Sequence, residues 1–343
     1  MRVGILTGGG DCPGLNAVIR AVGRRAHSGG HEMVGIHQGW RGLVDGLTAT
    51  LEDADISGIL PRGGTILKTS RTNPFKMDGG VERVLANLEQ LDALVAIGGE
   101  DTLGVAKRLY AEHGARVVGV PKTIDNDLNG TDYTFGFDTA VAIATEAIDR
   151  LHSTAESHNR VMVCEVMGRH AGWIAVMSGM AGGADVILIP ELPMPVERCC
   201  ELIQQRHRRG KDFSIVVVSE GWPMTSSQGN GDPVGSADVD AFGHARLGGI
   251  GGQLAGEIQE RTGFETRVTT LGHIQRGGSP TARDRVLATR YGLKAWEMVE
   301  AGQFGQMAAL QGDDIVSIQL SDAVSELKLV PQELYDQAQV FFG

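Results

Sequence analysis

Short, continuous runs of β-branched and aliphatic residues alternate with helical stretches along most of the chain, and several runs end in a polar loop marked by paired glycines. Unbroken apolar runs suit strands buried on both faces, so the alternation predicts an α/β architecture with mainly parallel sheets. The strand candidates are Arg2–Thr7, Glu32–His37, Ala93–Ile97, Arg116–Val120, Val161–Val166, Asp185–Ile189, Phe213–Ser219 and Arg267–Leu271. Helical patterns fall between most of them, at Gly14–His27, Val81–Leu91, Leu103–His113, Thr139–Ser157, Val196–Arg208 and Ala245–Arg261. A change of domain is expected near Gly136–Thr139, where a long helical pattern follows a polar loop, and Thr225–Ser236 reads as an exposed loop. With 343 residues the chain has room for two domains.

Charge narrows the ligand class. Lys plus Arg number 31 against 42 Asp plus Glu, a net charge of −11 that argues against a general nucleic-acid binder. An anionic small ligand needs only a local cluster of cations, with magnesium able to supply more. The cysteines, Cys12, Cys164, Cys199 and Cys200, have no CxxC spacing, and this usage suits a reducing compartment. With no leader pattern and no stretch of about 18 apolar residues, the expectation is a cytoplasmic protein without a membrane partner.

In parallel sheets, ligands gather beyond the C-terminal strand ends. Four loops there carry chemistry. Thr7–Gly14 opens a helix after a strand, so its backbone N–H groups suit phosphate. Pro13 breaks a GxGxxG reading, no GxxxxGK[ST] occurs, and a tight βα turn explains this loop equally well. Gly98–Thr102 sets Glu100 and Asp101 at a helix start. Favourable charge at a helix N-terminus accounts for the acids but not for the glycine pair, which brings the backbone close to a ligand; acids beside an anionic ligand make sense if one holds magnesium. Pro121–Asp127 places Lys122 beside Asp125 and Asp127, a cation for a transferring phosphoryl group and a carboxylate for a hydroxyl proton; an Asn-centred turn is the plain alternative. His273–Gly278 joins Met167–His170 and Arg160 in placing Arg160, Arg169, Arg267 and Arg276 near strand ends, where their planar forks suit phosphate. Glu220, just after a strand, suits sugar hydroxyls.

Taken in order, GILTGGGDCPGLN, GGTILKTSR, AIGGEDT, VPKTIDND, FGFDTA, EVMGRHAGW, SEG and LGHIQRGGSPTARDR resemble the phosphofructokinase family over essentially the whole chain. The resemblance implies two Rossmann-like three-layer domains: a phosphoryl-donor domain of residues 1–137 with about 275–325, and a fructose 6-phosphate domain of residues 138–274 with about 326–343. It further implies magnesium, and transfer to the sugar 1-hydroxyl. Residue by residue it makes Asp125 the general base, with Thr123, Asp127, Met167, Gly168, Arg169 and Glu220 lining the sugar site. His273 and Arg276 would hold the sugar phosphate, Gly10 and Arg71 the donor phosphates, and Glu100 the metal. Arg160 and Arg267 would reach that site from a neighbouring subunit, in a homotetramer or homodimer.

Two positions depart from the family's ATP-using pattern. Asp101 stands where a glycine would admit the α-phosphate of ATP, and Lys122 stands where another glycine is usual. A carboxylate repels the triphosphate, and an ammonium balances a donor with no nucleoside to anchor it, so the pair resembles the branch that uses pyrophosphate. Lys122 alone also occurs in ATP-using relatives, so Asp101 decides the reading. The alternatives are ATP as donor, another kinase class with a Gly-Gly-Asp-type loop, and a sugar-phosphate sensor that has lost catalysis. MGRHAGW and GHIQRGG argue against the second, and intact Asp125, Asp127 and Arg169 against the third. Arg20 and Arg24, one helical turn apart, suit either an effector contact or a solvated face.

Overall fold

The computed structural model describes residues 1–226, 229–230, 235–239 and 245–343, with side chains described outside 225–246. The backbone clusters into two compact units. The first comprises Met1–Thr139 and Arg276–Leu327; the second comprises the described residues of Ala140–Val239, with Ala245–Gln275 and Lys328–Gly343.

In the first unit the sheet runs Asp314–Gln319, Gln306–Gln311, Val117–Thr123, Ala93–Gly98, Arg2–Thr7, Glu32–Ile36, Thr48–Thr50, and the two-residue strand Phe135–Gly136 adds to Val117–Thr123. Its inner pairs are parallel, and only the two edge strands run antiparallel. Along Arg2–Thr7 the side chains point alternately to the two faces. Leu6 packs with Leu94, Ala96 and Val117 against Leu43, Val84, Leu103 and Leu109 from helices on one face. Leu15–Ser28 and Ala282–Glu300 pack together closely: a Cβ at Gly292 would lie 2.9 Å from the Val18 carbonyl oxygen.

The second unit holds a wholly parallel sheet in the order Thr266–Thr270, Val161–Val166, Ser214–Ser219, Val186–Leu188. The helices Val196–Arg208 and Ile250–Thr262 pack on it through Cys199, Leu202, Ile203, Leu254 and Ile258. The chain's last segment is tied in by polar bonds: the Tyr335 hydroxyl donates to the Ile187 carbonyl at 2.7 Å, and the Val330 N–H to Glu191 at 3.0 Å.

The α/β expectation with mainly parallel sheets holds. Three differences have local causes. The helix expected over Ala245–Arg261 begins at Ile250, because Gly248 and Gly249 take φ of +137° and +92° and interrupt it; Ala245–Leu247 is a strand. Gln306–Gln311 and Asp314–Gln319 form a hairpin closing at Gly312, which has φ +61°. Within the loop expected at Thr225–Ser236, Thr225–Ser226 pairs with Gly229–Asn230; residues 227–228 and 231–234 lie outside the described residues.

Candidate active site

In the first unit, three adjacent parallel strands bring three of the glycine-marked loops together. The Gly8 N–H donates to the Ile97 carbonyl at 2.9 Å, joining the first loop to the second, and Gly98 pairs with Pro121, joining the second to the third. The Gly63–Arg71 segment closes over the first loop: the Gly9 N–H donates to the Ser70 carbonyl at 3.2 Å, and the Thr69 hydroxyl to the Gly9 carbonyl at 2.6 Å. Arg71 is thereby held next to the loop, with an exposed side chain.

Lys122 is 3% exposed, and its Nζ donates to the Gly10 carbonyl at 2.5 Å. Burial holds its ammonium below the ordinary lysine range, opposed chiefly by Cys12 and more weakly by Asp125 and Asp11. A bound dianion would favour the charged form. Gly10 also abuts Arg276, whose Nη1 donates to the Asp11 carbonyl at 3.3 Å. A Cβ on Gly10 would stand 2.5 Å from that same nitrogen, so the bare backbone here is what admits the guanidinium. Arg276, expected on the sugar phosphate, thus lies against the first loop.

Asp125 is 5% exposed; its N–H donates to the Thr123 hydroxyl at 3.0 Å. Its Oδ1 is buried with no hydrogen-bond partner, an acceptor held ready for a proton or a cation. Asn126 takes φ +53° and accepts from the Thr134 N–H at 3.0 Å, which pins the turn; Asp127 follows, half-buried. Glu100 is exposed and Asp101 half-buried in the first turn of the helix Glu100–His113. Both line a cavity of about 290 Å³, shared with Asn73, Phe75, Lys107 and Arg108. Arg108 sits 3.6 Å over the Phe75 ring. No cluster of three His, Cys, Asp or Glu side chains suited to a metal occurs among the described residues. Magnesium does not require one, since it binds through one or two carboxylates with waters and substrate phosphates completing its shell. The exposed carboxylate of Glu100, at a helix start, fits that chemistry.

In the second unit, Met167, Gly168, Arg169 and Glu220 follow the ends of adjacent strands, Val166 being paired with Ser219. The Arg169 N–H donates to Glu220 at 3.3 Å, and the Glu220 N–H to the Val166 carbonyl at 2.8 Å. Arg169 takes φ +50°, an uncommon conformation for a non-glycine residue. Gly221 leaves room for the turn: a Cβ there would fall 1.6 Å from the Arg169 carbonyl oxygen. The Leu271 N–H donates to the Glu165 carbonyl at 3.0 Å, bringing exposed His273 to the same end of the sheet.

Arg160 and Arg267 lie at the other end. Arg160 precedes Val161–Val166 and Arg267 pairs with Met162, so a strand length of about 15–20 Å separates them from Arg169 within one unit. Both contact Glu265, at 2.9 Å from Arg160 and 2.5 Å from Arg267. These guanidiniums hold the Glu265 carboxyl below the usual range, Arg160 first. Sequence reasoning missed Glu265; its place two residues before Arg267 was the available signal.

Residues 2–299 match the family Phosphofructokinase. A protein of Amycolatopsis methanolica described as pyrophosphate–fructose 6-phosphate 1-phosphotransferase is 60% identical over 346 residues, covering all of both chains. An ATP-dependent 6-phosphofructokinase of Corynebacterium efficiens is 53% identical over 347 residues, covering 100% of this chain and 99% of its own. A solved phosphofructokinase of Saccharomyces cerevisiae superposes with a TM-score of 0.79 at 31% identity; the match covers 94% of this chain but 45% of the yeast chain, so this chain spans under half its length. The chain belongs to the phosphofructokinase family.

Proposed function

We infer that the chain transfers a phosphoryl group reversibly from pyrophosphate to the 1-hydroxyl of fructose 6-phosphate, giving fructose 1,6-bisphosphate and phosphate. The observation that carries the donor choice is Asp101, a half-buried carboxylate in the first turn of the helix Glu100–His113, directly after the second glycine loop; Lys122, a buried ammonium seated on the Gly10 carbonyl, supports it. Glu100 and Asp101 together set two carboxylates at that helix start, which disfavour a triphosphate extending past them. The 60% identical relative described as using pyrophosphate supports this reading; the 53% identical one described as using ATP keeps the alternative donor as the contrast to test.

Asp125 accepts the proton of the attacking hydroxyl through its unpartnered oxygen. Lys122 and Arg169 balance the charge of the group in transfer. Gly10 and Arg71 hold the donor. Thr123, Asp127, Met167, Gly168 and Glu220 bind the sugar, and His273 and Arg276 its phosphate. The donor-side groups belong to the first unit and Met167–Arg169, Glu220 and His273 to the second. Arg160 and Arg267, remote from Arg169 in their own unit, serve a second copy of the chain in a homodimer or homotetramer. Glu100 would hold magnesium, which would supply countercharge to the phosphates. A reaction of this kind belongs in the cytoplasm, among the steps of glycolysis.

The test is a change of donor. Replacing Asp101 and Lys122 together by glycine is expected to raise kcat/KM for ATP at least tenfold and to lower it for pyrophosphate at least a hundredfold. Unchanged donor preference in the folded variant would remove these two residues from the account.

A further inference from the structure

Among the described residues, Asp284 is a fully buried carboxylate near the first unit's loops that the reaction leaves without a role. It lies in the first turn of Ala282–Glu300, behind Thr281, whose hydroxyl caps that helix by accepting from the Asp284 N–H at 3.2 Å. Its Oδ2 accepts from the N–H of Thr139 at 2.8 Å and from the Thr139 hydroxyl at 2.6 Å. The Thr139 oxygen accepts in turn from the Thr281 N–H at 3.0 Å, and the Thr281 hydroxyl donates to Asp138 at 2.7 Å. Two helix starts, about 140 residues apart in sequence, therefore cap each other.

This clasp holds the segment that carries the third loop. Immediately before it, Phe135 and Gly136 pair with Lys122 and Thr123. The Thr134 hydroxyl donates to the Thr123 carbonyl at 2.8 Å, and the Thr134 N–H to Asn126. Residues 134–139 are thus fastened on one side to Lys122–Asn126 and on the other to Thr281–Asp284, five to eight residues beyond Arg276. Cys12 fills the space between: its Sγ donates to the Phe135 carbonyl at 3.6 Å, and a Cβ on Gly136 would stand 2.5 Å from that sulfur.

We propose that Asp284 is a positioning residue, which through Thr139 fixes residues 134–139 and so the placement of Lys122 and Asp125. It touches neither donor nor sugar, and it rests on the assignment of those two residues to phosphoryl transfer. Loss of the clasp loosens the third loop without removing any group that binds substrate, so turnover falls while substrate affinity is kept.

The test compares D284A, D284N and T139V in the full chain, by hydrogen exchange of the amides in 122–127 and by steady-state rates with pyrophosphate, fructose 6-phosphate and magnesium. D284N keeps an oxygen to accept from Thr139, whereas D284A keeps none. D284A is expected to exchange those amides at least tenfold faster and to lose at least tenfold in kcat, with each KM within about threefold and the melting transition still cooperative. D284N should restore both readouts to within about threefold of the parent chain. T139V, which keeps the N–H but loses the hydroxyl, should fall between them, and it decides the matter if D284A does not fold. Unchanged exchange at 122–127 in a folded D284A or T139V overturns the proposal, as does a loss carried by KM. If the parent chain turns over neither donor, the functional reading fails, while the exchange data still decide whether the clasp holds the loop.

Discussion

At the residue scale, the chemistry rests on few side chains, of which Asp125 is the most exacting. Its buried Oδ1 has no partner among the described residues, which costs stability unless a ligand or proton makes use of it. D125N is expected to lower kcat about 10²–10⁴-fold while KM for fructose 6-phosphate moves little, the range for loss of a general base; equal losses in kcat and affinity, read from steady-state kinetics, would assign Asp125 to binding instead. The glycine-marked loops were legible because glycine clusters directly after apolar runs have few structural uses other than close approach. The partners those loops take in space were not legible. Nothing in the sequence says that Lys122 reaches Gly10, 112 positions away, or that Arg276 reaches Asp11, 265 positions away. Arg169 shows the same limit: its carbonyl packs against the bare α-carbon of Gly221, which comes from the neighbouring strand end.

At the element scale, the mutual cap of two helix starts makes a prediction about stability. Burial pushes the Asp284 carboxyl up to about 6 from 3.8, opposed by the Thr139 bonds and aided by the Asp138 charge. The other groups facing it, the Cys12 thiol, pushed up to about 12, and the Tyr133 phenol, also raised, stay neutral near pH 5. Because the folded value lies above the unfolded one, the stabilisation belongs to the protonated form; it is complete below about pH 4 and is lost as pH rises through about 6. The shift corresponds to about 3 kcal/mol. An Asn at 284 does not titrate, so the stability of D284N relative to the parent should rise by up to that amount between pH 4 and 7, as measured by urea denaturation. A constant difference across that window would show that Asp284 ionises normally. Element type was largely readable from apolar pattern: Arg2–Thr7, Val161–Val166 and Val196–Arg208 lie as the sequence predicts. Short elements were not. Trp40–Asp45 is set by the core that Trp40, Leu43 and Val44 enter, and exposed Thr48–Thr50 by its pairing with Glu32–Ile36.

At the scale of the whole molecule, Arg160 and Arg267 gather at the end of their sheet away from Arg169 and His273, on Glu265. If they serve a neighbouring copy, inactive chains should complement one another. Mixing R160A/R267A chains with D125A chains, unfolding and reassembling them, is expected to restore about one quarter of the parent rate in a symmetric dimer, because half the dimers are mixed and each mixed dimer has one intact site. Activity no higher than that of either parent variant would place both arginines outside the site.

The measurement that bears most directly on the central claim is the initial rate with fructose 6-phosphate and magnesium, with pyrophosphate and ATP compared in parallel. Asp101 in the first turn after the second glycine loop, with buried Lys122 on the Gly10 carbonyl, predicts turnover with pyrophosphate and at least a hundredfold less kcat/KM with ATP. Turnover with ATP and none with pyrophosphate would contradict that claim and leave only the family assignment standing.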